Sequence, residues 1–371
     1  MKGTVLFLSS IHWHFTWQRH QNVASGLARK GYSVVFVEPL PKRWPRPREF
    51  PRLLGRILGR PRRAGLCPQS VPDGVQLATP RLFPEVGTLG PWINRSVLVR
   101  RLARRLLRRV DRRPLILLNY LPTRASLALQ RALEPDLKVY DCAWDWSNDP
   151  YSRGLEEVER DLVREADLVL TDSPRNTERM RLLHSRVVRI LHGVDYGLFA
   201  GTDREDAIAA ETTCAYFGDL GENIDIDLLA RVSQRYPLHL IGPVRVPLRG
   251  FSARTRVWGG VPHERVPERL RAARVLLLPY RNAPHTRAVF PAKIMECLAT
   301  GKPTVAIGLE SLAELAELLY LCSTPEEFLL AIERAANEDP SGSEGRRRFA
   351  KENSWSRRID EIDALLEGLR R

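Results

Sequence analysis

The segment Thr286–Pro303 has the composition of a loop followed by a short helix. Pro291 suits the first turn of that helix, because its missing N–H costs nothing there, and Gly301 suits the end. A helix start offers unpaired N–H groups and the positive end of a dipole, which attract phosphate. Lys293 would add a charge, and Glu296, one turn later, can accept hydrogen bonds from ribose hydroxyls. We predict a nucleoside diphosphate site; the alternative is an ordinary helix with a solvent-facing glutamate.

A second group of polar residues follows predicted strands in the first half of the chain. Ser10 and His12 come shortly after the apolar run Val5–Leu8. Asp145 follows a later apolar run, and Arg19 stands in a predicted helix between them. Since the carboxyl ends of parallel strands share one edge of a sheet, we expect these side chains at that edge. His12 is a candidate proton carrier or hydrogen-bond partner for an acceptor hydroxyl, and Arg19 a candidate anion ligand; alternatively, His12 caps a surface loop.

Strands and helices are predicted to alternate along almost the whole chain. The apolar runs interpreted as strands are Val5–Leu8, Val34–Val37, Leu115–Leu118, Val139–Tyr140 and Leu168–Leu170, then Ala215–Phe217, Leu238–Ile241, Val275–Leu278 and Pro303–Ala306. Such alternation predicts parallel, doubly wound sheets. We expect two Rossmann-like α/β domains, residues 1–198 and 199–350, with ligands in an interdomain cleft at the carboxyl ends of the strands. Residues 351–371 carry a helical pattern and are expected to pack back on the first domain.

The composition indicates an ordinary globular protein. Of the 371 residues 43% are hydrophobic, and no apolar run is long enough for a membrane-spanning helix. The first residues lack a signal-peptide cleavage site and are interpreted as a buried strand. The five cysteines are scattered without metal-binding spacing, which favours a reducing cytoplasm. Asp225–Asp227 imitates a metal-binding DxD motif, but it opens a predicted helix and is interpreted as a cap.

The positive charge of the chain is concentrated in two segments. The 58 basic and 44 acidic residues give a net charge of +14, with the excess concentrated in residues 42–63 and 95–113. The second segment has an apolar stripe with arginines around it, formed by Val99, Leu102, Leu106 and Val110. Such a helix suits an anionic membrane surface, which is our preferred interpretation. The alternatives are a solvated helix whose stripe packs on its domain and codon bias towards arginine; without a reader motif, nucleic acid is not expected.

The segment Phe290–Pro303 is similar to the nucleotide-binding motif of GT-B glycosyltransferases, the group 1 or family 4-like retaining enzymes. Glu296 stands at the position of that family's ribose-binding glutamate, whereas Ala288 replaces the first of its two glutamates. Phe290–Glu296 resembles the variant found in bacterial surface-polysaccharide transferases of the teichuronic-acid type. Three more segments resemble that group, so the resemblance covers nearly the whole chain: Ser9–Gln21, Tyr140–Trp146 and His192–Asp195.

Two departures from the family pattern bear on the site. Trp144 stands where relatives have a histidine that contacts the donor sugar, which leaves Asp145 as the polar candidate. Gly218 begins a loop that in relatives carries an arginine and a lysine for the phosphates, and both cations are missing here. The candidate nucleotide-binding residues are Ser10, Gly218, Thr286, Arg287, Val289, Phe290, Pro291, Lys293 and Glu296. The candidate catalytic residues are His12, Arg19 and Asp145.

The resemblance implies transfer of a glycosyl group from a nucleoside-diphosphate sugar to an acceptor saccharide, free or lipid-linked, with retention of configuration. It implies no metal cofactor, because helix dipoles and basic side chains neutralise the leaving diphosphate. We expect a role in polysaccharide or glycolipid biosynthesis in the cytoplasm, with peripheral contact at the inner membrane face. The alternatives are a nucleotide-sugar epimerase of the same fold and a non-catalytic binding subunit, which would explain the missing phosphate cations.

Overall fold

The computed structural model describes residues 2–15, 17–40, 70–83, 94–146, 154–201, 211–283, 286 and 289–369. The chain divides into two units, one of Met1–Ile190 with Ile359–Arg371 and one of Leu191–Arg358. The basic segment 42–63 and Arg287, both given a role by the sequence, lie outside the described residues. No helix within the described ranges is long and apolar enough to cross a membrane.

The first unit is built on a parallel sheet. Its strands among the described residues are β1 Thr4–Leu8, β2 Ser33–Val37, β3 Val75–Ala78, β4 Leu115–Asn119, β5 Leu137–Cys142, β6 Leu168–Thr171 and β7 Val187–Arg189. They lie in the order β3-β2-β1-β4-β5-β6-β7, with Leu6 opposite Val35 on one side and Leu117 on the other. Every residue of β1 and β4 is buried, as expected for central strands covered on both faces.

The second unit repeats this architecture. Its described strands are β8 Cys214–Phe217, β9 Leu238–Ile241, β10 Thr255–Gly259, β11 Val275–Pro279, β12 Thr304–Ile307 and β13 Tyr320–Cys322. They are parallel and lie in the order β10-β9-β8-β11-β12-β13. In both sheets the chain works outwards from one central strand and then returns to that strand's other side. The crevices between β1 and β4 and between β8 and β11 are therefore topological switch points, where such sheets bind ligands.

Helices connect the strands of both units. They are α1 Arg19–Arg29, α2 Val99–Leu107, α3 Arg124–Leu133, α4 Leu155–Glu165, α5 Pro174–Arg181, α6 Tyr196–Phe199, α7 Ile226–Arg235, α8 Val266–Leu270, α9 Lys293–Thr300, α10 Pro325–Ala336, α11 Gly342–Glu352 and α12 Trp355–Gly368. A π-helical turn spans Asn94–Leu98, and a 3-10 turn spans His263–Arg265. The Asp225 side chain accepts a hydrogen bond from the Leu228 N–H at the start of α7, so the predicted cap is confirmed.

The end of the chain belongs to the first unit. The Asp363 carboxylate in α12 accepts hydrogen bonds from Tyr32 at 3.0 Å and from Lys2 at 2.6 Å. Ile359 packs so closely on α1 that a Cβ at Gly26 would lie 2.4 Å from its side chain. These contacts stabilise the last turns of α12 next to β1 and β2.

The arginine-rich helix α2 packs its apolar side into the first unit. Val99, Leu102 and Leu106 are buried in the core beneath the sheet. The alternative that this stripe packs on its domain is therefore confirmed, and membrane contact of the helix stays a prediction. The exposed side of α2 carries arginines, and these stay available for contact with anions.

Candidate functional site

The switch point of the second sheet is lined by backbone that only glycine tolerates. Gly218 follows β8 directly and has a φ of +124°, a conformation that side chains with a Cβ rarely adopt. A Cβ at this position would lie 2.2 Å from the Nζ of Lys293. The missing side chain therefore leaves room for the lysine ammonium beside the exposed end of β8.

Lys293 extends from the first turn of α9 to this point. Its Nζ donates a hydrogen bond to Tyr216 Oη at 3.0 Å and lies 4.5 Å from the centre of that ring. The ring of Tyr280, which follows β11, is 5.7 Å away. Tyr216 Oη donates in turn to the Asp219 carbonyl at 2.8 Å. The rings of Tyr216 and Tyr280 thus hold the ammonium at the switch point, together with the Tyr216 hydroxyl, which is itself anchored to the backbone.

Within the described ranges, the charge of Lys293 is held without a carboxylate. Burial raises the pKa of Tyr216 to about 12, so its phenol is neutral at neutral pH. Burial alone would lower the pKa of Lys293, but its interactions with Tyr216 and Tyr280 raise it above the ordinary value. Among the described residues, no acidic side chain forms an ion pair with Lys293. A charged ammonium partnered only by neutral groups attracts an anion strongly, because a second charge-assisted hydrogen bond is still to be made.

The start of α9 adds backbone donors beside this ammonium. The helix begins at Lys293, two residues later than Pro291, where the sequence placed its first turn. The N–H groups of Ile294 and Met295 donate to the carbonyls of Pro291 and Ala292. The N–H groups of Ala292 and Lys293 have no acceptor within the described part of the chain. Two N–H groups without an acceptor among the described residues, the helix dipole and an ammonium together favour an anion such as a diphosphate.

Glu296 lies one turn further along α9 and is fixed by a histidine. Its Oε1 is 2.7 Å from Nε2 of His263, which begins the turn after β10. The two side chains are 21% and 29% exposed, so the pair remains open to a ligand. The other carboxylate oxygen, Oε2, has no hydrogen-bond partner among the described residues. This oxygen is available to accept hydrogen bonds from a sugar diol.

The loop before α9 is supported from within. Thr286 is buried, and its hydroxyl accepts from the Ala283 N–H and lies within hydrogen-bond distance of the Arg281 and Ala283 carbonyls. Phe290 and Pro291 are also buried, and Phe290 stacks on His192 with ring centres 6.4 Å apart. The Val289 carbonyl accepts from the Ser311 hydroxyl. The side chains of Thr286, Phe290 and Pro291 therefore shape the loop, while Lys293 and Glu296 remain accessible to a ligand.

In the first unit, the predicted residues after β1 have separate partners. Ser10 Oγ lies 3.0 Å from Nε2 of His20, a residue at the start of α1. His12 is half-exposed, and its Nδ1 lies 3.3 Å from the Glu38 carboxylate at the end of β2. Trp13, which follows His12, is 1% exposed and belongs to the core. Ser10 and His12 are thus both at the carboxyl edge of the sheet, as predicted.

Arg19 and Asp145 are both tied into ion pairs. The Arg19 guanidinium is buried and donates to Asp141 at 2.9 Å and to the Ile190 carbonyl at 2.9 Å. Asp145 follows β5 and lies within 3.9 Å of the arginines at positions 175 and 179 in α5. The three candidate catalytic residues therefore contact different groups, and their catalytic roles stay predictions.

Sequence reasoning missed the partners of the predicted residues. Lys293 contacts Tyr216, Glu296 contacts His263, and Ser10 contacts His20. The first two partners are far away along the chain, and His20 lies in α1 whereas Ser10 precedes that helix. A tyrosine inside an otherwise apolar strand, two residues before Gly218, was the available signal for the first of them. In the described ranges, no group of three or more His, Cys, Asp or Glu side chains is placed to hold a metal ion.

The unit that carries Lys293 and Glu296 matches a known family. Residues 213–338 match the family model described as glycosyl transferases group 1. The chain is 24% identical over 263 residues to TuaH of Bacillus subtilis strain 168, a putative teichuronic acid biosynthesis glycosyltransferase. This match covers 60% of the chain and spans 64% of the length of that relative.

Solved structures show the fold. HepE of Anabaena in complex with UDP-glucose superposes with a TM-score of 0.68 at 15% identity, over 99% of this chain and 100% of that one. A trehalose-6-phosphate synthase, whose structure concerns glycosyl transfer with retention, superposes with a TM-score of 0.64 at 11% identity, over 99% of each chain. Together with the two parallel sheets, these likenesses confirm the predicted GT-B fold.

Proposed function

We propose that this chain, whose residues 213–338 match the family model of group 1 glycosyl transferases, transfers a sugar from a nucleoside-diphosphate sugar to an acceptor hydroxyl. The acceptor in this proposal is a saccharide, free or lipid-linked, and the pathway is polysaccharide biosynthesis. The HepE complex with UDP-glucose supports a uridine nucleotide as the first donor to test. The teichuronic acid relative supports the polysaccharide pathway.

The observation that carries the proposal is the position of the Lys293 ammonium. It lies against Gly218 at the switch point, on the helix whose start carries the N–H groups of Ala292 and Lys293. Negative charge develops on the diphosphate as the sugar leaves, and donors fixed in advance stabilise that charge without reorganisation. Lys293 therefore takes the role that the loop after Gly218 has in relatives, where an arginine and a lysine bind the phosphates.

Retention of configuration is part of the proposal. It draws support from the resemblance of the motif and from the trehalose-6-phosphate synthase neighbour, whose structure concerns retention. In such a reaction, positioning of the acceptor and stabilisation of the leaving group supply most of the rate enhancement. Neither of these contributions requires a metal ion, so we propose that the reaction needs the nucleotide sugar and the acceptor but no metal ion.

The direct test is to incubate the purified protein with a panel of nucleotide sugars and to follow slow donor hydrolysis. We expect release of UDP from UDP-glucose, with the anomeric configuration of the freed sugar retained in the proton NMR spectrum. An inverted sugar would overturn retention, and free epimerised nucleotide sugar without acceptor would favour the epimerase. Absence of nucleoside diphosphate binding by calorimetry would favour a non-catalytic subunit.

Glu296→Ala is expected to weaken UDP binding by roughly 1.5–3 kcal/mol, the value of a hydrogen bond to a charged group. The loss arises because the ribose hydroxyls lose their carboxylate acceptor. Calorimetry should show no such loss for a UDP analogue that lacks both ribose hydroxyls. Glu317→Ala, which removes an exposed glutamate of the same unit, is the matched control. Equal affinity of Glu296→Ala and the parent protein for UDP would exclude the assigned role.

We also propose that the exposed arginines of α2 contact an anionic membrane surface. Burial and the like charges of Arg109, Arg81 and Arg108 lower the pKa of Arg105. The lowered pKa shows that these arginines concentrate positive charge on one side of the unit and repel one another. Anionic head groups that approach this side relieve the repulsion. The attraction is electrostatic, because the apolar stripe of α2 is buried in the core.

Arg100→Gln combined with Arg104→Gln is expected to weaken binding to phosphatidylglycerol vesicles about tenfold to thirtyfold, at about 1 kcal/mol for each basic residue near the surface. Cosedimentation measures the change, and phosphatidylcholine vesicles should bind neither protein. Arg249→Gln with Arg348→Gln removes two exposed arginines of the second unit and keeps the net charge matched. If both double variants lose vesicle binding equally, the contact is not specific to α2.

A further inference from the structure

The contact between His263 and Glu296 is defined by more than one distance. The imidazole Nε2 lies 2.7 Å from Oε1 of the glutamate, and the other side of the ring packs on Phe199 at 5.4 Å between ring centres. Phe199 is fully buried. An immobile aromatic ring therefore fixes the histidine, and the histidine fixes a glutamate side chain that would otherwise sample many rotamers.

The charges around His263 favour the imidazolium. Burial alone would lower the pKa of His263, but the hydrogen bond and charge of Glu296, with Glu264 and Asp195, raise it above the ordinary value. Lys293 stands one turn before Glu296 on α9 and adds a positive charge to the site. As long as Glu296 is ionised, the attraction between imidazolium and carboxylate is thus complete below the ordinary histidine pKa and is lost as the pH rises through the raised pKa of His263.

We infer that His263 is a positioning residue for the donor nucleotide, which holds the Glu296 carboxylate with Oε2 left for the ribose hydroxyls and offsets its negative charge. This inference rests on the proposed role of Glu296 in nucleotide binding. The offset matters because the nucleotide brings a diphosphate to the same helix start, where an uncompensated carboxylate repels it. An imidazolium that neutralises Glu296 keeps the hydrogen-bond acceptor while it removes most of this repulsion.

A dependence of donor affinity on pH follows from this arrangement. A bound diphosphate adds negative charge near His263 and stabilises its protonated form, so by linkage the protonated protein binds the donor more tightly. The affinity for UDP-glucose should therefore fall as the pH rises through the His263 pKa. UDP-glucose is the suitable probe because its diphosphate is esterified at both ends and has no group that titrates where histidine does.

The test is calorimetry with UDP-glucose across the pH range in which histidine titrates. His263→Ala is expected to bind about threefold to tenfold more weakly than the parent at the acidic end, with an affinity that no longer changes with pH. His263→Gln, whose amide can still donate to Glu296, should recover part of the affinity but none of the pH dependence. His239→Gln removes another imidazole of the same unit and should behave as the parent.

A double substitution separates positioning from direct contact. If His263 acts through Glu296, the loss caused by His263→Ala should disappear in a Glu296→Ala background, because the two changes affect one interaction. An undiminished loss in that background would overturn the inference, as would a parent affinity that is flat with pH. A parent protein that binds no UDP-glucose at any pH would instead contradict the proposed function.

An NMR titration tests the pair without any nucleotide. The Cε1–Hε1 resonance of His263 should titrate at a higher pH in the parent than in Glu296→Gln, since the charge of the carboxylate is removed. Equal titration midpoints would overturn the electrostatic coupling that the inference requires. Thermal unfolding of each variant shows that a lost signal does not come from lost structure.

Discussion

Replacement of Lys293 by methionine is expected to reduce the rate of donor turnover by roughly 10²–10³-fold, the effect of removing one preorganised electrostatic contact to a transition state. The same substitution should weaken UDP binding about tenfold to 150-fold, since a charge-assisted hydrogen bond contributes about 1.5–3 kcal/mol. Methionine preserves the length and most of the packing of the side chain between Tyr216 and Tyr280. The loss would therefore report the charge rather than a cavity.

The affinity for uridine distinguishes this prediction from general damage to the site. Uridine has no phosphate, so its affinity should be the same for Lys293→Met and the parent protein. Lys351→Met removes an exposed lysine of the same unit and is the control for the change in net charge. If uridine and UDP lose affinity equally, Lys293 supports the structure of the site and does not bind the diphosphate.

The central strands of both sheets were predictable from sequence because they are buried on both faces. Runs such as Val5–Leu8 and Val275–Leu278 are continuous and apolar, and the structure confirms them as β1 and β11. The sequence missed the four described strands at the sheet edges, which are Val75–Ala78, Val187–Arg189, Thr255–Gly259 and Tyr320–Cys322. The first contains an exposed Gln76, and the other three have no buried residue. None of them is therefore the continuous buried run by which a central strand is recognised.

The residues of the candidate site likewise divide into those that the sequence predicted and those that it missed. Lys293, Glu296 and Gly218 were predicted because a motif fixes their types and spacing along the chain. Their partners Tyr216 and His263 were not, because the contacts are made between β8, the turn after β10 and α9. No local spacing encodes such contacts; only the order of the strands brings these elements to one switch point.

The sequence assigned the charge of Arg19 to an anionic ligand, but in the structure this charge has a partner within the fold. Arg19 is the first residue of α1, and this place close to a strand end suited an anion site. In the structure it pairs with Asp141, and both side chains are at most 1% exposed. Asp141 stands among apolar residues in the sequence, which was the available signal for a buried ion pair. The two positions are too far apart along the chain for any local pattern to connect them.

Replacement of Arg19 by methionine is expected to destabilise the first unit by about 3–5 kcal/mol, because it leaves the Asp141 carboxylate buried without its ion-pair partner. The midpoint of thermal unfolding of that unit should fall by on the order of 10 °C. Because the chain has two units and need not unfold in one step, hydrogen exchange of the β5 amides is the suitable measurement. It reports the free energy of opening next to Asp141 itself.

A double substitution shows whether the ion pair is the cause. Arg19→Met with Asp141→Asn removes both charges and should recover a large part of the stability, since the cost lies in the charge left unpaired. Arg29→Met, at the exposed end of the same helix, should leave β5 protection unchanged. Unchanged β5 protection in Arg19→Met, combined with a loss of donor turnover, would return Arg19 to the catalytic role that the sequence suggested. If the double substitution is as stable as the parent, the buried pair adds no net stability to the first unit, and the loss in Arg19→Met comes from the Asp141 carboxylate that is left without a partner.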